Sequence, residues 1–341
     1  MSWQFGRVGI TYSLRCNASC SFCAVKSGPE NKERMSLGTA IRCIHQVAEN
    51  SFFKEIKITG GEPFLFYQNL ATLIEEVQKA GLNSSVITNG FWAETEEIAL
   101  RKLECLVKKG LKEINYSADA YHQKFIPIER LRNAFRATKS VGLSIIIYYV
   151  EGAHSEPCSA FLKKLDLPIQ RVKLINADET YKISKLEGDL QTLTFGDQII
   201  VRKTFITPAG RGKDCRSDLL LFPLKEFSEV PCPEIGRSYM IMPNLSVFAC
   251  CSGYLPHRLR VGKLSRESFA KAVERSDGDI LLRVLRERGV LFLYRKVRER
   301  GLFLGSRSYA GMCHLCNDLL NRVPRRHLEE ISFKALFSNR R

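Results

Sequence analysis

The first two hundred residues swing between short apolar runs and longer stretches in which apolar residues recur every three or four positions. "GRVGITYSL", "EIKITGG", "NSSVITNG", "KEINYSAD" and "LSIIIYYV" have the length and composition of strands. Between them, "SLGTAIRCIHQVAENS", "QNLATLIEEVQKAG", "TEEIALRKLECLVKKG" and "IERLRNAFRATKSVG" carry helical periodicity, the first opened by a Ser cap. "QIIVRKTFI" is a further strand, the sixth of this kind. Such alternation predicts an α/β fold of parallel strands with helical crossovers, its chemistry collected at the strands' carboxyl ends.

Between the fifth and sixth strands, "NADETYKISKLEGDLQ" reads as a helix-plus-loop insertion, and "TPAGRGKDCRSD" as a boundary loop. Two units follow, residues 1–215 and 216–341. In the second, "RSYMIMPNLSVFACC" predicts a hairpin turning at Pro243-Asn244, then two helices, then "GMCHLCNDLL".

Composition leaves this picture unchanged: 45% hydrophobic and 26% charged is ordinary globular usage. No apolar run approaches the roughly 20 residues of a membrane helix. The opening "MSWQFGRVGITYS" lacks the basic region and apolar run of a signal peptide, so a cytoplasmic protein without membrane contact is expected. Charge adds more. The net +16 is concentrated at the end, where Pro256–Arg341 hold 20 Lys and Arg against 9 Asp and Glu. That surplus favours an acidic partner, although "LLRVLRERGVLFLYRKVRERG" equally suits a solvated helix face. The aromatic and glycine signature of an RNA-binding sheet is missing, so nucleic acid is not an expected partner.

The 12 cysteines change the picture most. In a chain of this length their tight groups point to metal ligation rather than to a disulfide scaffold. Cys43 and Cys105 lie in helical patterns and read as small buried hydrophobes. Cys16, Cys20 and Cys23 directly follow the first strand in a C-x3-C-x2-C spacing. Three thiolates can hold a [4Fe–4S] cluster while one iron keeps an open position. A second group comprises Cys232, the pair Cys250-Cys251, and Cys313 with Cys316; Cys215 reads as a bystander.

The C-x3-C-x2-C spacing with Phe22 before its last cysteine, and "ITGGEP" closing the second strand, resemble the radical S-adenosylmethionine (SAM) superfamily. The resemblance implies a partial (βα)6 radical SAM barrel. It implies a [4Fe–4S] cluster on Cys16, Cys20 and Cys23 that binds SAM and cleaves it to a hydrogen-abstracting 5′-deoxyadenosyl radical. Phe22 would then pack near the adenine, and Ser117, in "NYSAD", would touch SAM. Gly60 and Gly61 would let backbone approach the ligand, and Glu62 would meet its ammonium group. Thr88 and Asn89 fit either a nucleoside contact or a cap, and Asp119 and His122 fit either SAM and substrate or a helix cap.

Cys232, a hairpin ending in a cysteine pair, and the distant Cys313-x2-Cys316 resemble a C-terminal twitch/SPASM-like extension. This implies one auxiliary [4Fe–4S] cluster on Cys232, Cys250, Cys313 and Cys316, with zinc as the rival for four thiolates. With "ITNGFW" and "SADAYH", these features together resemble radical SAM peptide epimerases of ribosomal-peptide (RiPP) pathways. The implied reaction is L-to-D epimerisation: a Cα hydrogen is removed from one face and Cys251 returns one to the other. Peptide crosslinking through a C–C or thioether bond is the alternative. The implied partners are a precursor peptide, whose acidic leader the basic C-terminal region would hold, and a flavodoxin- or ferredoxin-type electron donor. Three departures stand out. The hairpin turn is Pro-Asn-Leu where Asp-Gly is common, an extra "TPAGRG" follows the sixth strand, and Glu234 is the one carboxylate between Cys232 and the pair.

Overall fold

The expected alternation forms β1 (Gly6–Ser13), α1 (Leu37–Ala48), β2 (Phe53–Gly60), α2 (Tyr67–Lys79), β3 (Asn83–Thr88), α3 (Glu96–Lys108), β4 (Leu111–Ser117), α4 (Ile128–Ser140) and β5 (Ser144–Glu151). This computed structural model describes residues 5–167, 172–175, 199–251 and 256–337; the "NADETYKISKLEGDLQ" stretch lies outside them. After α5 (Cys158–Lys163) come β6 (Val172–Ile175) and β7 (Ile199–Phe205). β7 is the sixth strand read from the sequence. β6 is an addition: at four residues it is too short to carry a periodic signal, and it pairs in parallel outside β7 as a sheet edge.

Local chemistry explains the helix starts. Ser36 accepts from Thr39 N at 3.1 Å and Thr95 from Ile98 N at 3.2 Å, each satisfying a backbone donor of the first turn. Along β1, alternation sends Val8, Ile10 and Tyr12 into the helix-covered core and Arg7, Thr11 and Ser13 to the opposite, inner face of the sheet.

The second half adds β8 (Phe222–Pro223), β9 (Ser238–Ile241), β10 (Ser246–Phe248), β11 (Arg260–Lys263), α6 (Phe269–Gly278), α7 (Ile280–Glu287), α8 (Val290–Glu299), β12 (Ser308–Tyr309), α9 (Met312–Arg322) and α10 (Arg325–Phe337). The expected hairpin is β9–β10. Its turn works without glycine because Leu245 takes the left-handed conformation (φ 67°) and Asn244 Oδ1 accepts from Ser246 N at 3.0 Å. Three helices, not two, separate the hairpin region from "GMCHLCNDLL". Asp279 starts α7 afresh by accepting from Leu281 N and Leu282 N, and Gly289 (φ 83°) divides α7 from α8. A Cβ at Gly289 would lie 1.8 Å from Val230 O, so the break also lets the chain before Cys232 pass close by.

Among the described residues, 10 strands join one sheet in the order β11-β10-β9-β1-β2-β3-β4-β5-β7-β6, and β8 pairs with β12 in a second. β9 pairs in parallel with β1, Arg7 opposite Ser238 and Ile10 opposite Ile241, so the extension continues the sheet of the first unit. Below the carboxyl ends, the inner face carries a charged network. Lys57 Nζ lies 3.4 Å from Glu113, 3.4 Å from Asn115 and 3.8 Å from Glu55, whose carboxylate accepts from Ser85 at 2.7 Å. Among the described residues, no helix is long and apolar enough to cross a membrane.

Candidate active site

Cys16, Cys20 and Cys23 meet the ends of β2–β5 around a cleft of about 190 Å³. Phe22, Gly60, Gly61 and Ser117 also line it. Backbone N–H groups point at two of the sulfurs, from Ala18 to Cys16 at 3.4 Å and from Ser27 to Cys23 at 3.3 Å. Burial pushes the Cys16 thiol up to about 12, against the stabilising Ala18 bond.

Gly60 and Gly61 also allow a close backbone contact within the protein. A Cβ at Gly60 (φ 148°) would stand 2.2 Å from Ser13 O, and one at Gly61 only 1.9 Å from Arg15 O. They let the end of β2 press against the backbone that leads into Cys16, and Gly61 N and Glu62 N donate to Ser13 O and Arg15 O.

Glu62 is buried among donors from the next strand. It is 1% exposed, and its oxygens accept from Thr88 Oγ1 at 2.8 Å, Asn89 N at 2.7 Å and Phe64 N at 3.0 Å. Burial outweighs these donors and lifts its carboxyl to about 7. These contacts organise the β3 end. Thr88 accordingly acts as a cap: its hydroxyl also accepts from Trp92 Nε1 at 2.9 Å. Asn89 reaches the cysteine loop, donating to Asn17 Oδ1 at 2.9 Å.

Asp119 and His122 form a unit at the mouth. Fully buried Asp119 accepts from the backbone of Tyr121 and His122 and holds His122 Nδ1 at 2.8 Å. Burial disfavours the imidazolium, but Asp119 prevails and raises His122 well above its ordinary value. Phe22 stands edge-on to Tyr121 (5.3 Å) and to His122 (5.4 Å). Cys215 packs in this same cluster beside Phe22, Tyr121 and Val150, remote from the C-terminal cysteines in the packing.

The C-terminal cysteines divide. Cys232, Cys250, Cys313 and Cys316 line one apolar cavity of about 40 Å³ with Val290 and Met312 among its walls. Cys251 is exposed and is not part of that lining; its Sγ donates to Glu234 Oε2 at 3.4 Å. Glu234 in turn holds Arg7 at 3.6 Å, on the inner face of β1. Glu234, which the sequence showed as an isolated carboxylate, is thus the thiol's neighbour. No disulfide forms, Cys43 is core, and Cys105 is half-buried. Among the described residues, no group of three or more His, Cys, Asp or Glu is drawn together to hold a single metal ion. The ligands of a four-iron cluster stand farther apart, one to each iron.

Residues 10–151 match the Radical SAM superfamily profile. The chain carries a radical SAM domain. Its cofactors are therefore a [4Fe–4S] cluster and SAM, and the cleft fits them: three thiols line it, and buried Ser27 Oγ in the lining has no hydrogen-bond partner. Over 319 residues this radical SAM enzyme is 22% identical to YydG of Bacillus subtilis (strain 168), provisionally named a peptide biosynthesis protein, with 92% of each chain covered. Over 224 residues it is 28% identical to a protein of Methanocaldococcus jannaschii provisionally named a GTP 3′,8-cyclase, covering 59% of this chain and 72% of that one. Two solved structures share the fold. Native anSMEcpe with bound AdoMet aligns at TM-score 0.51 and 14% identity, covering 96% of this chain and 99% of its own. Streptococcus suis SuiB bound to S-adenosylmethionine aligns at TM-score 0.51 and 15% identity, covering 83% and 66%.

Proposed function

We propose that this radical SAM enzyme modifies a ribosomally made peptide by converting an L-residue to its D-form. The near full-length likeness to YydG, with that protein's naming for peptide biosynthesis, supports a peptide substrate. In this reading Cys16, Cys20 and Cys23 hold the cluster, and Phe22 and Ser117 border the SAM that it binds. Once bound, the two cofactors supply the radical that removes the peptide Cα hydrogen. The Cys251 S–H bond then breaks as its hydrogen passes to the Cα radical from the opposite face. One electron from a flavodoxin- or ferredoxin-type donor and one proton from solvent restore the thiol, which is exposed for both. Cys232, Cys250, Cys313 and Cys316 hold an auxiliary [4Fe–4S] cluster.

The observation that carries this reading is the separation of Cys251 from its neighbour. Cys251 stands outside the four-cysteine cavity, beside Glu234 and Arg7, at the amino end of the strand whose carboxyl end leads into Cys16. At ~3.3 Å per residue, β1 from Arg7 to Ser13 spans ~20 Å, depth enough for SAM and a peptide residue between the two levels.

The test is mass spectrometry of a candidate precursor peptide after anaerobic reaction with SAM and reductant in D2O. Epimerisation through an exchangeable thiol leaves a product heavier by one deuterium, and Cys251→Ala stalls it. A product lighter by two hydrogens means crosslinking instead, the reading that the auxiliary cavity would favour as an electron outlet.

A further inference from the structure

We infer that Arg211 is a positioning residue for the cysteine loop, and that residues 207–218 form a clasp which holds this loop in the shape that receives SAM. "TPAGRGKDCRSD" has the composition of a boundary between domains, yet the segment folds back over the cleft. Arg211 donates from Nε to Cys20 O at 2.9 Å and from Nη2 to Ser27 O at 2.7 Å, while its own N–H donates to Cys23 O at 3.0 Å. One residue thus satisfies three carbonyls spread across the whole loop that carries the last two thiols. Its side chain also lines the cleft.

Two glycines make the approach possible. At Gly210 (φ 55°) a Cβ would fall 2.2 Å from Ala24 O and 2.4 Å from Cys23 O; at Gly212 it would fall 2.1 Å from Thr207 O. The far end of the segment is fixed by Asp218, which accepts from Tyr121 OH and from His154 N, so the clasp also ties down the loop after β5. Only a guanidinium suits this task. Its planar fork places separate donors on two carbonyls and stays charged at every working pH, whereas a lysine supplies one point charge. Without that fork the Cys20 and Ser27 carbonyls lose their Arg211 donors, and the stretch between them that carries Cys20 and Cys23 is left with the backbone bonds to Cys20 O and Cys23 O.

The inference concerns the radical SAM domain alone, so its test needs no peptide and stands apart from the epimerase reading. Wild type, Arg211→Lys and Arg211→Met are reconstituted with iron and sulfide and reduced with dithionite. SAM is then titrated while the reduced cluster is followed by electron paramagnetic resonance. Only the cluster that binds SAM changes its signal, so the auxiliary cysteines do not interfere. Arg211→Met is expected to need at least tenfold more SAM for half of the spectral change, with Arg211→Lys in between. A titration for Arg211→Met that overlays wild type would overturn the inference. If Arg211→Met does not fold, Gly210→Ala keeps the arginine but lifts the clasp, and must show the same weakened SAM response; an unchanged response there would overturn it equally.

Discussion

Cys250 and Cys251 are consecutive, yet the first lines the apolar cavity shared with Cys232, Cys313 and Cys316 while the second donates to Glu234 at 3.4 Å. The two neighbouring thiols thus stand in surroundings of different chemistry. Cys250→Ala should therefore lower the iron content by about four atoms per chain, as expected for one lost cluster. Cys251→Ala should keep its iron and still form 5′-deoxyadenosine while hydrogen return stops. Equal iron loss in both variants would make Cys251 a ligand.

Gly61→Ala tests how closely β2 approaches the cysteine loop. The added methyl would meet Arg15 O at 1.9 Å, a backbone atom that cannot swing away. The fold should lose about 1–3 kcal/mol, the usual cost of overpacking, read as a lower urea midpoint of the apoprotein. Iron uptake at the first cysteine set should fall with it. An unchanged midpoint would mean that the contact is not held in solution.

Glu62 makes stability depend on pH. Its ordinary value is 4.5, and burial in the fold raises it to about 7. Between these two values the folded chain binds the proton more strongly than the unfolded chain does. Stability is therefore full below pH 4.5 and declines as pH rises through 7, by up to about 3 kcal/mol. Glu62→Gln does not titrate. Wild-type stability relative to that variant should fall by this amount across the window, measured by urea unfolding of both apoproteins. A constant difference would show that the three donors keep Glu62 ionised throughout.

The acidic-leader reading meets a qualified surface. Arg283 holds Glu287 at 2.8 Å, Arg286 holds Asp277 at 3.4 Å, and Arg298 lies 5.8 Å from the Tyr294 ring centre. These exposed pairs are worth at most about 1 kcal/mol each, so an acidic peptide can compete for them. Reversing all three charges should weaken binding of an acidic-leader peptide at least tenfold at low salt, read by fluorescence anisotropy. Unchanged affinity would remove this surface from the reading.

The pattern of strands and helices through β5, the hairpin and both cysteine sets were legible in the sequence because each rests on local signals. Ser36 is a cap, β-branched runs are strands, and closely spaced cysteines stand out as a group. What stayed hidden depends on partners distant along the chain. Nothing near Arg211 says that its donors reach Cys20 and Ser27, and a glycine-rich, charged stretch looks like a linker until its contacts are seen. The Thr88 and Asn89 contacts of Glu62 stayed hidden for the same reason, because they come from the next strand. Glu234 lacked a visible partner until the hairpin brought Cys251 back to it.

The parallel pairing of β9 with β1 has a consequence for synthesis. Arg7 and Ser238 are 231 residues apart, so the first strand leaves the ribosome long before its neighbour exists. At ~5–20 residues per second, that edge stays uncovered for on the order of 10 to 50 seconds. Its open N–H and C=O groups are a template for another nascent chain throughout that interval. Heterologous expression should therefore be limited by self-association of unfinished chains, and slower growth at lower temperature with chaperone coexpression should recover soluble protein where extra iron does not.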